Sequence, residues 1–183
     1  MNNTIEAMLQ DIAAPNRARA IALWGDLQRH VPDAAGSIKS HHAWPGGYAD
    51  HIKEVMNLAI MLYDRMHSER PLVFSVSSAL LVLFLHDCEK PFKHATDKEL
   101  AAFPWIKSRP TTSDKAFQEQ LIEHYGFTLS TEEWNALRYV EGEPDTEYIE
   151  GERLQGPLAA FCHVCDTISA RIWYDHPAKN HLV

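Results

Sequence analysis

The clearest chemical signal in this chain is a pair of adjacent ionisable residues, His86 and Asp87. They directly follow residues 80–85, an unbroken apolar run of a kind found in protein interiors. A buried charge without a partner costs several kcal/mol, so something must compensate this pair. Neutral imidazole and carboxylate groups together are a ligand set for zinc, manganese, iron or cobalt. The pair therefore suggests a metal site.

Two further side chains of the same types fall in segments that should also be buried. His51 opens a helical segment directly after the Gly46-Gly47 loop, and Asp166 lies in the middle of the last apolar helical segment. A lone carboxylate or imidazole inside a protein is costly, whereas one divalent ion would satisfy all of these groups at once. We therefore predict a metal bound by His51, His86, Asp87 and Asp166.

The elements that must position these residues have the apolar periodicity of helices. Proline, glycine and capping residues divide the chain into helical segments, and no segment offers a strand partner for the apolar run. Because that run is apolar on all sides, it should lie in a central buried helix that begins at Pro71. We predict an all-α, single-domain bundle of six or seven helices over residues 1–183. The segments are 15–30, 48–67, 71–86, 115–125, 130–142 and 157–174.

The amino-acid composition limits the classes of function that fit this chain. The chain has 183 residues, is 45% hydrophobic and carries a formal net charge of −8, which disfavours a long nucleic acid as partner. It has no apolar run of the roughly 20 residues that a membrane span needs and no signal-peptide pattern. Its three cysteines form no disulfide framework, so we expect a cytoplasmic protein with no membrane partner. Cys162 and Cys165 are interpreted as small core residues rather than a metal or redox pair.

The order of the predicted ligands carries a family resemblance. His51, then His86-Asp87, then Asp166 resembles the H…HD…D signature of the HD-domain superfamily of metal-dependent phosphohydrolases, over about residues 41–174. The segment HHAWPGGYADH is similar to the corresponding region of exoribonuclease-type HD proteins. HDCEKPF and CHVCDTISAR resemble small HD proteins of phages and bacteria.

The resemblance implies an HD-domain fold and hydrolysis of a phosphate ester or anhydride. It implies a divalent transition metal (Zn, Mn, Co, Fe or Ni) held by the four predicted ligands, with Mg as a candidate second ion. Extra histidines that bind a second metal in dinuclear members are incompletely matched, because Glu141 or Glu143 stands where a histidine pair is expected.

Three residues are expected to take part in catalysis. By resemblance, Asp87 would orient the attacking water as well as bind metal. Lys90 stands where the nucleotidase branch has a glutamate and would stabilise the phosphate charge of the transition state, while Glu89 falls one position earlier. Since Pro91 disfavours helix at Lys90, we expect the chain to turn outward there and place Lys90 at the rim.

The expected substrate is a small phosphorylated molecule, most simply a mononucleotide or deoxynucleotide. Imidazole and cationic side chains near the predicted cleft are its candidate contacts, and assembly into a homo-oligomer is left open. The candidate substrate-binding residues are His41, His42, Lys90, His94, His124 and Arg171.

Other functions fit the same residues. One is a phosphodiesterase or exonuclease acting on short nucleic acid, and another is a mixed-valent di-iron oxygenase of the same fold, which also has a lysine near the HD pair. A third is a non-catalytic, metal-stabilised binding module. Simpler interpretations exist for single residues: His86-Asp87 as a charge pair at a helix end, His51 as a surface residue, and Asp166 as a partner of Arg171.

Overall fold

All regular structure among the described residues is helical, as predicted. The structure, a computed structural model, describes residues 3–111, 114–143 and 154–175. No strand occurs in these ranges. The helices are α1 (Ile5–Leu9), α2 (Asn16–His30), α3 (Gly47–Glu69), α4 (Val76–Leu85), α5 (Lys90–His94), α6 (Asp97–Leu100), α7 (Lys115–Tyr125), α8 (Thr131–Tyr139) and α9 (Pro157–Ile172).

Helix α4 is the central element. Each side chain from Leu81 to Leu85 is at most 2% exposed, which confirms the predicted burial of this segment. Helices α3, α8 and α9 pack around α4, and α3 also packs against α9. Full burial of one leucine side chain contributes about 1.5–3 kcal/mol, so α4 is a large source of stability. Its C-terminal end is thereby fixed in the interior, where His86 and Asp87 follow.

The start of α4 differs from the prediction. The helix begins at Val76 rather than Pro71, with the Ser75 hydroxyl accepting a hydrogen bond from the Ser78 amide at 3.1 Å. The segment before it is held in a non-helical path because the Tyr63 hydroxyl donates to the Phe74 carbonyl at 2.9 Å. A side-chain cap satisfies an amide that has no intrahelical partner, so the helix starts where the serine can supply it.

The predicted number of helices is too low, because short helices were not recognised. Helix α1 buries Ile5, Met8 and Leu9 against α2 and α3. Helices α5 and α6 follow the HD pair, and Pro91 is tolerated in the first turn of α5 because an amide there would lack an intrahelical partner. Segments of four or five residues are too short to show helical periodicity.

The remaining helix boundaries agree closely with expectation. Asp114 caps α7, Gly126 ends it in a left-handed conformation (φ 72°), and Ser130 forms a capping box with Glu133 at the start of α8. Helix α8 ends at Tyr139 and helix α9 at Ile172, three and two residues before their predicted ends. Within the described part of the chain, no helix has the length and apolarity that crossing a membrane requires.

Candidate metal centre

Four ligand-type atoms from three parts of the chain converge at the C-terminal end of α4. The Nε2 atom of His51 lies 3.2 Å from Nε2 of His86 and 3.3 Å from one carboxylate oxygen each of Asp87 and Asp166. The His86 Nε2 atom lies 3.4 Å and 3.6 Å from the same two oxygens. The structure thus brings together all four residues predicted as metal ligands.

Helix packing explains this convergence. His51 lies in the second turn of α3, His86 and Asp87 follow the last residue of α4, and Asp166 lies in the middle of α9. Because α3 packs against both α4 and α9, the three helices direct these side chains to one point. His51, His86 and Asp87 are at most 3% exposed, whereas the Asp166 side chain is 17% exposed, so Asp166 is the most solvent-accessible of the four.

The buried Gln118 of α7 stabilises the end of α4. Its side-chain amide donates to the carbonyl oxygens of Leu85 and His86, at 3.1 Å and 3.0 Å. These carbonyls belong to the last turn of the helix, where backbone acceptors lack intrahelical donors. Gln118 therefore anchors the backbone immediately before Asp87.

Hydrogen bonds on the far side of each imidazole indicate which ring nitrogen carries hydrogen. His86 donates through Nδ1 to the Leu83 carbonyl at 2.7 Å. The Ser169 hydroxyl donates to Glu54 at 2.8 Å, so its oxygen accepts from Nδ1 of His51 at 3.0 Å. In a neutral imidazole the other nitrogen is then a lone-pair acceptor. Both Nε2 atoms therefore present lone pairs to the two carboxylates and to each other, an arrangement that needs a shared cation or proton.

The electrostatics of the metal-free centre point to a proton. Burial opposes charge on all of these groups, but Asp87 and Asp166 outweigh burial and raise the pKa of His86 well above its usual value. Burial would raise the pKa of the Asp166 carboxyl, but the neighbouring His51 and His86 outweigh burial and hold this pKa well below its ordinary range. Without metal, an imidazolium at His86 thus neutralises part of the carboxylate charge.

Lys90 differs in position from the prediction. It begins α5 instead of turning outward, and its ammonium group contacts the Asp87 carboxylate, with the side chain only 15% exposed. Burial would lower the pKa of Lys90, but Asp87 and then Glu89 outweigh burial and raise it. The partner of Lys90 is therefore Asp87.

Two further polar groups lie beside the HD pair. Glu89 is 2% exposed, and burial followed by the charge of Asp87 raises its pKa to about 7. Burial, Cys88 and Asp87 raise the pKa of Tyr48 well above its ordinary value. Its hydroxyl is the one buried side-chain polar atom among the described residues without a hydrogen-bond partner. Glu89 can thus exchange a proton near neutral pH.

A cleft with a volume of about 610 Å³ adjoins the centre. Asp166 forms part of its wall, as do five further predicted site residues: His41, Glu89, Lys90, His94 and Arg171. Lys39 and Lys93 also line the cleft, so four cationic side chains surround it together with Lys90 and Arg171. Its size is within the usual range for small-molecule sites.

Two residues predicted to contact substrate lie elsewhere. His42 has no exposed surface, so a direct substrate contact by this side chain does not fit the structure. The ring of His124 stacks on Trp105 with centroids 4.5 Å apart, and His124 is not among the cleft-lining residues. Neither position was distinguishable in the sequence, because burial of a loop histidine and the direction of a helix face depend on packing.

Residues that support the predicted ligands were not predicted. Glu54 and Ser169 each lie three positions after a predicted ligand, His51 and Asp166 respectively, and hence one turn further on the same helix face. That spacing is a signal that could have identified both. Gln118 belongs to another helix and gave no such signal.

His51, His86 and Asp166 offer two imidazole nitrogens and a carboxylate oxygen that could hold a divalent transition metal. The Asp87 carboxylate lies beside this group, 3.3 Å and 3.4 Å from the two imidazole nitrogens. Ligand atoms of His41, His42 and His51 form a second group that could hold a metal ion, and Nδ1 of His41 lies 3.1 Å from Nδ1 of His42. Comparison of the chain with protein-family models, curated proteins and solved structures yields no match.

Proposed function

We propose that this chain is a metal-dependent phosphohydrolase with an HD-domain fold, and that its substrate is a small phosphorylated molecule, most simply a nucleotide. One observation carries the proposal. His51, His86 and Asp166 form a group that could hold a metal ion, Asp87 lies against both histidines, and Asp166 lines a cleft that also has cationic side chains. The group suits a divalent ion, and the cationic cleft suits an anionic substrate.

The predicted ligands would each have a defined role. His51, His86, Asp87 and Asp166 would hold the ion, which when bound would polarise a phosphoryl oxygen and lower the pKa of water toward about 7. Asp87 would orient the attacking water through its carboxylate. Because the carboxylate is already fixed by contacts with His51 and Lys90, little reorganisation would be needed.

Lys90 and Glu89 would act on charge and protons. Lys90 lies against Asp87 and also lines the cleft, so its ammonium can contact a phosphate oxygen beside the ion. Glu89 lines the same cleft, and its pKa of about 7 allows a proton to be donated or accepted at neutral pH. A general acid would serve the leaving group of an ester or anhydride.

Charge and size favour a small substrate over a polymer. The net charge of −8 opposes a long polyanion, whereas the cations Lys39, Lys90, Lys93 and Arg171 concentrate positive charge at one cleft. A cleft of about 610 Å³ is sufficient for a mononucleotide. Localised cations on an acidic protein fit recognition of a compact phosphate group.

The experiment is a screen of ribo- and deoxynucleotides against Zn²⁺, Mn²⁺, Co²⁺, Fe²⁺, Ni²⁺ and Mg²⁺, measured as phosphate release. Asp87→Asn serves as the control for contaminating phosphatase, because it weakens a proposed ligand with little change in volume. Phosphate release by the wild type that is absent from Asp87→Asn supports the proposal. Metal binding with no turnover on any phosphate ester would contradict it.

Parallel measurements separate the rival functions. An exonuclease would release nucleotides from short oligonucleotides with a steep loss of binding at higher salt. A di-iron oxygenase would purify with iron and consume oxygen. A binding module would retain metal and ligand without turnover of any compound.

A further inference from the structure

A continuous hydrogen-bonded network lies behind the proposed ligand His51, on the side away from the other ligands. One oxygen of Glu54 accepts from the Ser169 hydroxyl at 2.8 Å and lies 3.0 Å from Nε2 of His42. Ser169 in turn lies 3.0 Å from Nδ1 of His51. Nδ1 of His42 is 3.1 Å from Nδ1 of His41, which lines the cleft. The network thus joins the cluster to the cleft through residues of α3, α9 and the loop before α3.

The loop that carries His42 is shaped around this residue. His42 has a positive φ of 55°, which is uncommon for a residue other than glycine. A side-chain carbon at Gly36 would lie 2.7 Å from Cβ of His42, and one at Gly47 would overlap the His42 carbonyl oxygen. The His42 amide donates to the Tyr174 carbonyl at 3.2 Å, and its carbonyl accepts from the Gly36 amide at 2.9 Å. Two glycines and a strained backbone together place this ring at full burial.

We propose that Glu54, Ser169 and His42 are positioning residues that hold His51 in the Nδ1-protonated tautomer and orient its Nε2 lone pair for a divalent transition metal. The inference rests on the proposed metal centre. It adds Glu54, whose carboxylate would support His51 through Ser169 and is not one of the proposed ligands. Such outer contacts fix the ring orientation of a metal-binding histidine.

The direction of each hydrogen bond follows from the chemistry of Glu54. A carboxylate only accepts, so the single hydroxyl hydrogen of Ser169 is directed to Glu54, and the Ser169 oxygen must accept from His51. If Glu54 were not an acceptor, the Ser169 hydrogen could turn toward His51. Nδ1 of His51 would then have no acceptor for its hydrogen, and the tautomer with hydrogen on Nε2 would be favoured. A hydrogen on Nε2 would point at the other ligand atoms and compete with the metal.

The carboxylate of Glu54 also determines the direction of the hydrogen bonds that run through His42 to His41. His42 donates to Glu54 through Nε2, so its Nδ1 accepts from Nδ1 of His41. The Nε2 atom of His41 is then without hydrogen. Burial is the largest cause of a pKa of His41 lowered to about 4, which is consistent with a neutral ring. Glu54 therefore sets the hydrogen-bond direction at both the ligand cluster and the cleft.

The test compares zinc affinity, measured by competition with a chromophoric chelator, for three variants of the full chain. Ser169→Ala and Glu54→Met remove a link and should weaken zinc binding about 10–100-fold. Glu54→Gln can keep an acceptor oxygen in the same place and should recover most of the affinity. Cys162→Ala on α9 and Lys53→Met on α3 are matched controls, since Cys162 is equally buried but bonds toward Ala79, and Lys53 is exposed.

A second readout reports the tautomer itself. Ring ¹⁵N chemical shifts of His51 should show hydrogen on Nδ1 in the wild type, both metal-free and zinc-loaded, and hydrogen moving to Nε2 in metal-free Ser169→Ala and Glu54→Met. A purely structural role for these residues would alter stability without changing which nitrogen is protonated. This measurement also applies if one of the variants folds poorly, because the wild type and the other variant remain informative.

Each result has a defined meaning. Zinc binding by the wild type that is equally tight in both disruptive variants, with an unchanged His51 tautomer, would overturn the positioning network and leave the metal centre standing. A wild type that binds no transition metal would overturn the proposed function. If the wild type binds no metal, the tautomer of His51 still tests the network. Hydrogen on Nε2 of His51 would contradict the network, and hydrogen on Nδ1 would support the proposed tautomer.

Discussion

The Nε2 atoms of His51 and His86 lie 3.2 Å apart, and each ring hydrogen-bonds through its opposite nitrogen to a neighbouring oxygen. Two neutral rings in this arrangement would place lone pair against lone pair. Asp87 and Asp166 add two further acceptor oxygens at 3.3–3.6 Å. The centre therefore requires positive charge, which a proton supplies in the metal-free protein and a divalent ion could supply in the loaded one.

The first prediction concerns the ligands. Asp87→Ala and Asp166→Ala should each weaken transition-metal binding by at least about 100-fold, because each removes one of four donor groups from a buried site. Elemental analysis of the purified proteins and chelator competition measure this directly. Asp64→Ala on the exposed side of α3 is the control and should bind metal like the wild type. Equal metal content in all four proteins would disprove the site assignment.

The second prediction concerns pH. The raised pKa of His86 means that its contribution to metal-free stability is full below the unfolded-state pKa of about 6.5 and is lost as pH rises through the folded value. Metal must displace this proton, so metal affinity should rise by about tenfold per pH unit between pH 6.5 and the folded pKa. The measurement is calorimetry in buffers of different ionisation enthalpy, with release of one proton expected. An affinity independent of pH in this window would contradict the protonated metal-free centre.

The third prediction concerns Lys90. Lys90→Ala should keep its metal and slow phosphate release by one to a few orders of magnitude, about 2–4 kcal/mol, as expected for loss of a donor to the transition state. Lys90→Arg should restore little activity, because a planar guanidinium does not replace a compact ammonium group packed against Asp87. Turnover and metal content are measured on the same samples. Full activity of Lys90→Ala would mean that Lys90 only neutralises the charge of Asp87 and does not act in phosphate release.

The fourth prediction concerns the packing of the loop before α3. Gly47→Ala should destabilise the protein by about 1–3 kcal/mol, because the added carbon overlaps the His42 carbonyl oxygen. Gly25→Ala in α2 is the matched control, since nothing lies within 4 Å of the added carbon, and alanine should stabilise this helix by about 0.5–1 kcal/mol. Urea unfolding gives both values. A Gly47→Ala variant at least as stable as the wild type would refute the close approach at Gly47.

Much of the fold could be predicted from local patterns. Residues 48–67 have a broad apolar face, and residues 80–85 are apolar throughout, so the identities of α3 and α4 and the burial of Leu81–Leu85 were predicted correctly. Short helices such as α5 were not predictable, because five residues contain little more than one turn. The expected outward turn at Lys90 was wrong, because the preference of a residue before proline does not include the ion pair of Lys90 with Asp87. Lys90 does line the cleft, in agreement with its expected place at the rim.

The sequence by itself determined which residue types were available for a metal, because imidazole and carboxylate groups in apolar segments need a partner wherever those segments pack. His51, His86, Asp87 and Asp166 were identified on that ground alone. Only the tertiary structure decided that they meet at one point, that His42 is enclosed while His41 lines the cleft, and that Glu54 links Ser169 to His42. The physical reason is that hydrogen-bond direction and burial depend on neighbours up to 118 positions away along the chain, as between His51 and Ser169. No local pattern contains that information.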